Sequence, residues 1–179
     1  MTLPDDAWIA RRYGGAITHV ALDYGLTLTS CGDPVDPVLG MRPVAEAARA
    51  AVRELHAAGL VLALVSNTVP GQDRRRALKA AGLDELFADR VYLSHELGLD
   101  KTHPGFYPYV LDELDVAPSA LLVCGNNIDT DVRAPALLGI RAVLLGPLAA
   151  PAHLPPRARL IARIGDLPRI LTGELRAYA

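Results

Sequence analysis

The residues best suited to chemistry in this 179-residue chain stand at the ends of short apolar runs. Asp23 follows the run 16–22, Ser66 and Asn67 follow 60–65, and Gly125, Asn126, Asn127, Asp129 and Asp131 follow 120–124. Lys101 lies in the segment 97–103, just after a shorter run at 91–94. A carboxylate on a rigid strand end can serve as a nucleophile or a metal ligand. A hydroxyl, an amide and an ammonium around it can hold a tetrahedral anion, and a second acidic loop can complete an oxygen-rich Mg²⁺ site. That is the equipment for phosphoryl transfer through an aspartyl intermediate.

The elements that must position these groups follow from hydrophobic patterning. The apolar runs, with their β-branched residues, read as buried strands. Residues 24–40 are rich in Gly, Pro, Thr and Asp and read as loop. A helix is predicted over 44–58, with Pro43 in its first turn, Val52 and Leu55 on one face and Gly59 at its end. Further helices are predicted near 73–81, 104–114, 130–138 and 167–178, and a fifth strand at 141–145. Residues 149–159 read as Pro- and Ala-rich loop. Residues 1–15 read as an N-terminal extension whose Trp8 and Ile9 could pack back on the fold. Strands alternating with helices predict an α/β, three-layer Rossmann-like fold with a mostly parallel sheet covered on both faces and right-handed crossovers. No repeat or internal linker interrupts it, so residues 1–179 are expected to form a single domain. In such sheets ligands bind beyond the carboxyl ends of the strands, where the residues above are found.

Bulk properties narrow the classes. The formal net charge of −2 leaves no electrostatic footprint for nucleic acid or an anionic membrane surface. The most apolar stretch, 59–65, is far too short to span a bilayer. Asp5, Asp6, Arg11 and Arg12 stand where a signal peptide would need an apolar run. Cys31 and Cys124 have neither metal-ligand spacing nor the number for a disulfide scaffold, so a reduced, cytoplasmic location is expected. The Ala- and Arg-rich composition suggests a high-GC bacterial source. Arg74, Arg75 and Arg76 read as a solvated helix start. His95 and His103 read as exposed loop residues, although histidine is a residue type that can stand in as an acid or base. Asn126 and Asn127 read equally well as turn residues, and Asp131 as an acid in the first turn of a helix.

Four stretches together carry a resemblance. HVALDYGLTLTS resembles the first signature of the haloacid dehalogenase superfamily, an apolar strand followed by Asp-x-Asp-x-Thr-Leu. LVLALVSN resembles the second, LGLDKTHPGFY the third, and ALLVCGNNIDTDVRAPALLGIRAVLL the fourth. They occur in the family's order and cover most of the chain, and four such signatures on matching elements are far more specific than one. The resemblance implies Asp23 as nucleophile. It implies Ser66 and the Asn67 backbone amide as phosphoryl-binding groups, and Lys101 as the neutralising cation. It also implies a Mg²⁺ site from Asp23, the Gly25 carbonyl, Asn126 and Asp131.

Two positions depart from the family pattern. The second Asp of the first signature, the general acid and base of the family's phosphatases, is Gly25. The first Asp of the fourth signature is Asn126, which should weaken a Mg²⁺ site although Asn still offers an oxygen. The interval from Asp23 to Ser66 holds a loop and one crossover helix, so no large cap domain is expected. By analogy with open sites in the family it resembles, the chain is expected to act on a phosphorylated small molecule or a large or carrier-bound substrate, or with a protein partner that closes the site. The preferred reading is a Mg²⁺-dependent phosphohydrolase without its usual acid, because most of the site equipment is retained. A ligand- or protein-binding module with a degenerate site, and a metal-independent carbon-centred reaction using Asp23, are the alternatives.

Overall fold

A computed structural model describes residues 16–146 and 153–172. Strand β1 (His19–Leu22) leads through a long loop to helix α1 (Glu46–Ala57) and strand β2 (Val61–Ser66). Helices α2 (Arg74–Ala80) and α3 (Asp84–Phe87) precede β3 (Val91–Leu93), which runs straight into α4 (Ser94–Leu97). Helix α5 (Phe106–Leu114) crosses to β4 (Leu121–Gly125). A π-helical turn (Ile128–Arg133) then continues as α6 (Ala134–Leu137). Strands β5 (Arg141–Leu145) and β6 (Ala158–Ile161) and helix α7 (Leu167–Thr172) complete the described chain.

All six strands pair in parallel, in the order β3-β2-β1-β4-β5-β6. Parallel strands need helical crossovers, and these cover both faces. The strand period of two divides the core cleanly. Val20, Leu22, Leu62, Leu64, Leu122 and Cys124 face one side, packed against Ala48, Val52 and Leu55 of α1. Ala21, Ala63, Val65, Leu121 and Val123 face the other, packed against Phe106, Tyr107 and Val110 of α5. The result is the expected three-layer, Rossmann-like α/β fold.

The helix predicted over 44–58 is α1, and it stops at Gly59, whose φ of +85° suits glycine. Asp73 caps α2 by accepting a hydrogen bond from the Arg75 backbone amide. The intervals β1 to β2 and β3 to β4 hold only loops and these short helices, so neither carries a large cap. Three expectations change. Residues 149–159, read as loop, include the start of β6. Helices α3 and α4 were not anticipated. The helix predicted over 167–178 is described only as α7, and its later residues lie outside the described ones. So does the extension 1–15 with Trp8 and Ile9.

Candidate active site

The sheet order sets β1 between β2 and β4, so the residues that follow these strands meet at one end. Asp23 is held there by its backbone amide, which donates to the Cys124 carbonyl at 2.9 Å. The next residues turn tightly, with the amides of Thr27, Leu28 and Thr29 all directed at the Tyr24 carbonyl. Leu26 takes a left-handed conformation, φ +55°, with its amide donating to Thr29 Oγ1 at 3.0 Å. A branched side chain in that region costs roughly 1–2 kcal/mol, so the turn is held by its surroundings and not by local preference.

Lys101 joins the site from the loop after α4. Its backbone amide donates to Asn67 Oδ1 at 2.9 Å, which ties that loop to the end of β2. Its Nζ lies 2.6 Å from Asp23 Oδ1 and 2.6 Å from Asp131 Oδ1. All three side chains are buried, Asp131 completely. Burial pushes the Asp23 carboxyl above its usual range; the Lys101 cation opposes this and the Asp131 charge adds to it. Burial pulls Lys101 down, but the two carboxylates outweigh it and hold the ammonium above its ordinary value.

Asp131 owes its place to the π-helical turn. The Asn127 side chain accepts from the amides of Asp129 and Thr130 and so starts the turn. Asp131 Oδ2 accepts from the Asn127 amide at 3.0 Å, and Oδ1 also accepts from the Thr130 hydroxyl at 3.1 Å. Both oxygens are therefore engaged by protein donors. The carboxylate lies directly against Gly125, where an added Cβ would come within 2.1 Å of Asp131 Oδ2. Gly125→Ala is expected to cost about 1–3 kcal/mol by overpacking and to displace Asp131 from Lys101. Thermal unfolding and a turnover assay check this, and a variant as stable and active as the parent refutes it.

Asp23, Gly25, Ser66, Asn67, Arg74, Lys101, Asn126, Asn127, Thr130 and Asp131 line one cleft of about 230 Å³. Every residue to which the resemblance assigns a role is in that set. Of two larger depressions, the one of about 390 Å³ contains none of the sequence candidates, and the one of about 550 Å³ is lined by Asp129.

Arg74 was missed. Its guanidinium lies 4.5 Å from the Tyr24 ring centroid and its Nε donates to Ser66 Oγ at 3.4 Å, so it is part of the cleft and not a solvated helix start. The signal lay in a residue fifty positions away, Tyr24, whose hydroxyl is fixed by donating to the Arg42 carbonyl at 2.5 Å. The rest of the run does face outward: Arg75 pairs with Asp73 and Glu96, and Arg76 is exposed. Asp129 also turns away, paired with Arg133 at 2.7 Å. Neither candidate histidine lines the cleft. His95 Nδ1 meets the Thr68 hydroxyl, and His103 Nδ1 accepts from the Gly105 amide. Cys124 is a buried strand thiol pushed upward by burial.

Comparison with known proteins identifies the family and the fold. Residues 15–139 match the family described as haloacid dehalogenase-like hydrolase. A phosphoserine phosphatase of Thermus thermophilus is 35% identical over 132 residues, which cover 74% of this chain and 51% of that protein. The chain thus spans about half the length of the curated relative it matches. Among solved structures, an uncharacterized protein from Listeria monocytogenes superposes with a TM-score of 0.71 at 22% identity, covering 87% of this chain and 97% of that one. YfnB of Bacillus subtilis, a putative hydrolase bound to magnesium, gives 0.71 at 14% identity, covering 88% and 99%. A hydrolase from Deinococcus radiodurans with bound phosphate and sodium gives 0.65 at 20% identity, covering 87% and 95%. The structural likenesses speak for the fold, and the sequence match over most of the chain speaks for the family. This chain belongs to the haloacid dehalogenase-like hydrolases.

Proposed function

We propose that the protein is a phosphohydrolase that uses Asp23 as its nucleophile and works without the family's usual general acid. The observation that carries this reading is the Lys101 ammonium bridging Asp23 and Asp131 in a cleft that also presents Ser66. Lys101 holds one oxygen of Asp23, and the other, Oδ2, has the Thr27 hydroxyl 3.4 Å away. Oδ2 therefore keeps lone pairs for attack. It adds to phosphorus, the bond from phosphorus to the ester oxygen breaks, and that oxygen leaves with the bonding pair. Water then attacks the phosphoaspartyl phosphorus, releasing inorganic phosphate and the free carboxylate. Ser66 and the Asn67 amide hold the phosphoryl oxygens, and Asp131 keeps Lys101 in place.

The donors present suit a weakly held Mg²⁺. Asp23, the Gly25 carbonyl and Asn126 are hard oxygen ligands on one cleft, and Mg²⁺ often takes only one or two carboxylates and keeps waters. Asp131 fits less well as a ligand, because both of its oxygens already serve Lys101, Thr130 and Asn127. No cluster of three or more His, Cys, Asp or Glu side chains able to hold a metal occurs among the described residues. When bound, Mg²⁺ supplies positive charge to the phosphoryl oxygens.

Among the described residues lining the cleft none replaces the missing acid: their titratable side chains are Asp23, Asp131, Lys101 and Arg74. Substrates whose leaving group needs little protonation, such as acyl and aryl phosphates, are favoured. The likeness to a phosphoserine phosphatase supports a phosphorylated small molecule. The absence of a large cap leaves room for a carrier-bound group or a partner surface. Purified protein with Mg²⁺ should turn over acetyl phosphate and p-nitrophenyl phosphate, and Asp23→Asn should abolish this. Turnover no higher than that control defeats the phosphatase reading in favour of a binding module, which the exposed Leu26, Val38 and Val69 would then serve as contact surface.

A further inference from the structure

Arg74 begins α2 and carries its charge into the cleft, yet its hydrogen-bond partners among the described residues are all neutral. Nε meets Ser66 Oγ at 3.4 Å, Nη1 meets Met41 Sδ at 3.5 Å and Nη2 meets Gln72 Oε1 at 3.3 Å. The two contacts to oxygen are long and the thioether sulfur is only a weak acceptor, whereas a guanidinium offers five donors in a rigid fork suited to carboxylate and phosphate. The neighbouring Arg75 shows what the alternative looks like: its fork closes on Glu96 at 2.8 and 2.9 Å. Burial lowers the pKa of Arg74, with Tyr24 and Asp23 opposing, but arginine stays charged in proteins. This half-buried cation stands on an aromatic platform with no carboxylate among its hydrogen-bond partners; Asp23, whose charge it feels across the cleft, is already engaged by Lys101, so the fork stays open to an anionic ligand.

Position and charge say what arrives. The Nε edge touches Ser66, which in the proposed function holds the reacting phosphoryl group. The Nη edge extends away from it, toward Met41 and Gln72 on the loops before α1 and α2. An anion on the Nη edge would sit beside the phosphoryl group and not in its place. Asp23, Asp131 and Lys101 leave one net negative charge, which Arg74 cancels, so the cleft can admit an anionic ligand at all.

We propose that Arg74 binds a second anionic group of the substrate, making the substrate a phosphate ester that also bears a carboxylate or a further phosphoryl group. This rests on the phosphohydrolase reading above. The test uses binding of unreactive ligands, so it does not depend on turnover. Calorimetry with Mg²⁺ compares methylphosphonate with phosphonoacetate and with methylenediphosphonate. Wild type should bind at least one of the two doubly anionic ligands about tenfold or more tightly than methylphosphonate, as a charge-assisted hydrogen bond warrants. Which of the two shows the larger advantage identifies the second group. In Arg74→Gln that ratio should fall to near one, and Arg74→Lys, which keeps the charge but loses the fork, should give an intermediate ratio. A wild-type ratio near one, or one that survives in both variants, overturns the inference while the phosphohydrolase reading stands. Failure of all three ligands to bind wild type overturns both.

Discussion

Gly25→Asp is expected to raise kcat on alkyl phosphates by about 10²–10⁴-fold, the usual worth of general acid–base help. The position is ready for a side chain. A Cβ at Gly25 would meet no atom within 4 Å, and Gly25 is not among the glycines with positive φ. The residue is exposed on the cleft, two positions after the proposed nucleophile, where a carboxyl could reach a leaving oxygen. The gain should be largest for basic leaving groups and small for acetyl and p-nitrophenyl phosphate, which depart without a proton. The added negative charge opposes the substrate's own, so KM should rise while kcat rises. Steady-state kinetics on an alkyl and an aryl phosphate separate these effects. An unchanged kcat on the alkyl ester would mean that proton donation does not limit the reaction.

Lys101→Met should remove turnover and lower stability together. It leaves two buried carboxylates facing each other with no cation between them. Breaking a buried ion pair by removing one partner costs about 3–5 kcal/mol, and for a chain of this size each kcal/mol is worth roughly 2–4 °C. A fall in Tm of roughly 6–20 °C follows from those two ranges. The deficit should be partly relieved as the pH falls, because one proton shared by the pair removes the repulsion. In the parent protein the dependence appears at the other end of the scale. Lys101 has a folded pKa above its ordinary 10.5, so its stabilisation is complete below that value and is lost as the pH rises through the folded one. Thermal melts of both proteins through the acid and alkaline ranges check both signs. An alkaline loss of equal size in Lys101→Met would remove Lys101 as its cause.

Residues that announce themselves by local pattern were legible in the sequence. Asp23, Ser66 and Lys101 stand beside apolar runs, and the parallel sheet follows from those runs alternating with helices. What escaped depends on contacts far away in the chain or on elements too short to show a period. Arg74 looked like its two neighbours until Tyr24 and Ser66 were placed beside it. Helices α3 and α4 are four residues each, barely one turn, so no amphipathic stripe can reveal them. Strand β6 is an edge strand, mostly half-buried, that starts in a stretch whose prolines and alanines read as loop. Asp131 was picked out only through the family resemblance, since on its own it read equally well as an acid in a first helical turn. Its complete burial comes from the π-helical turn and the missing side chain at Gly125.

The bridge made by Lys101 also bears on how the chain reaches its native state. Its two contacts join residues 78 and 30 positions apart, across strands that must already lie side by side. Closing such long loops is paid in chain entropy before any contact rewards it, which makes parallel sheets slow to assemble. An isolated Lys101 loop has no use for its buried charge until both carboxylates are in place. The cluster is therefore expected to form late in folding, so that a working site arrives with the finished sheet and not with its parts.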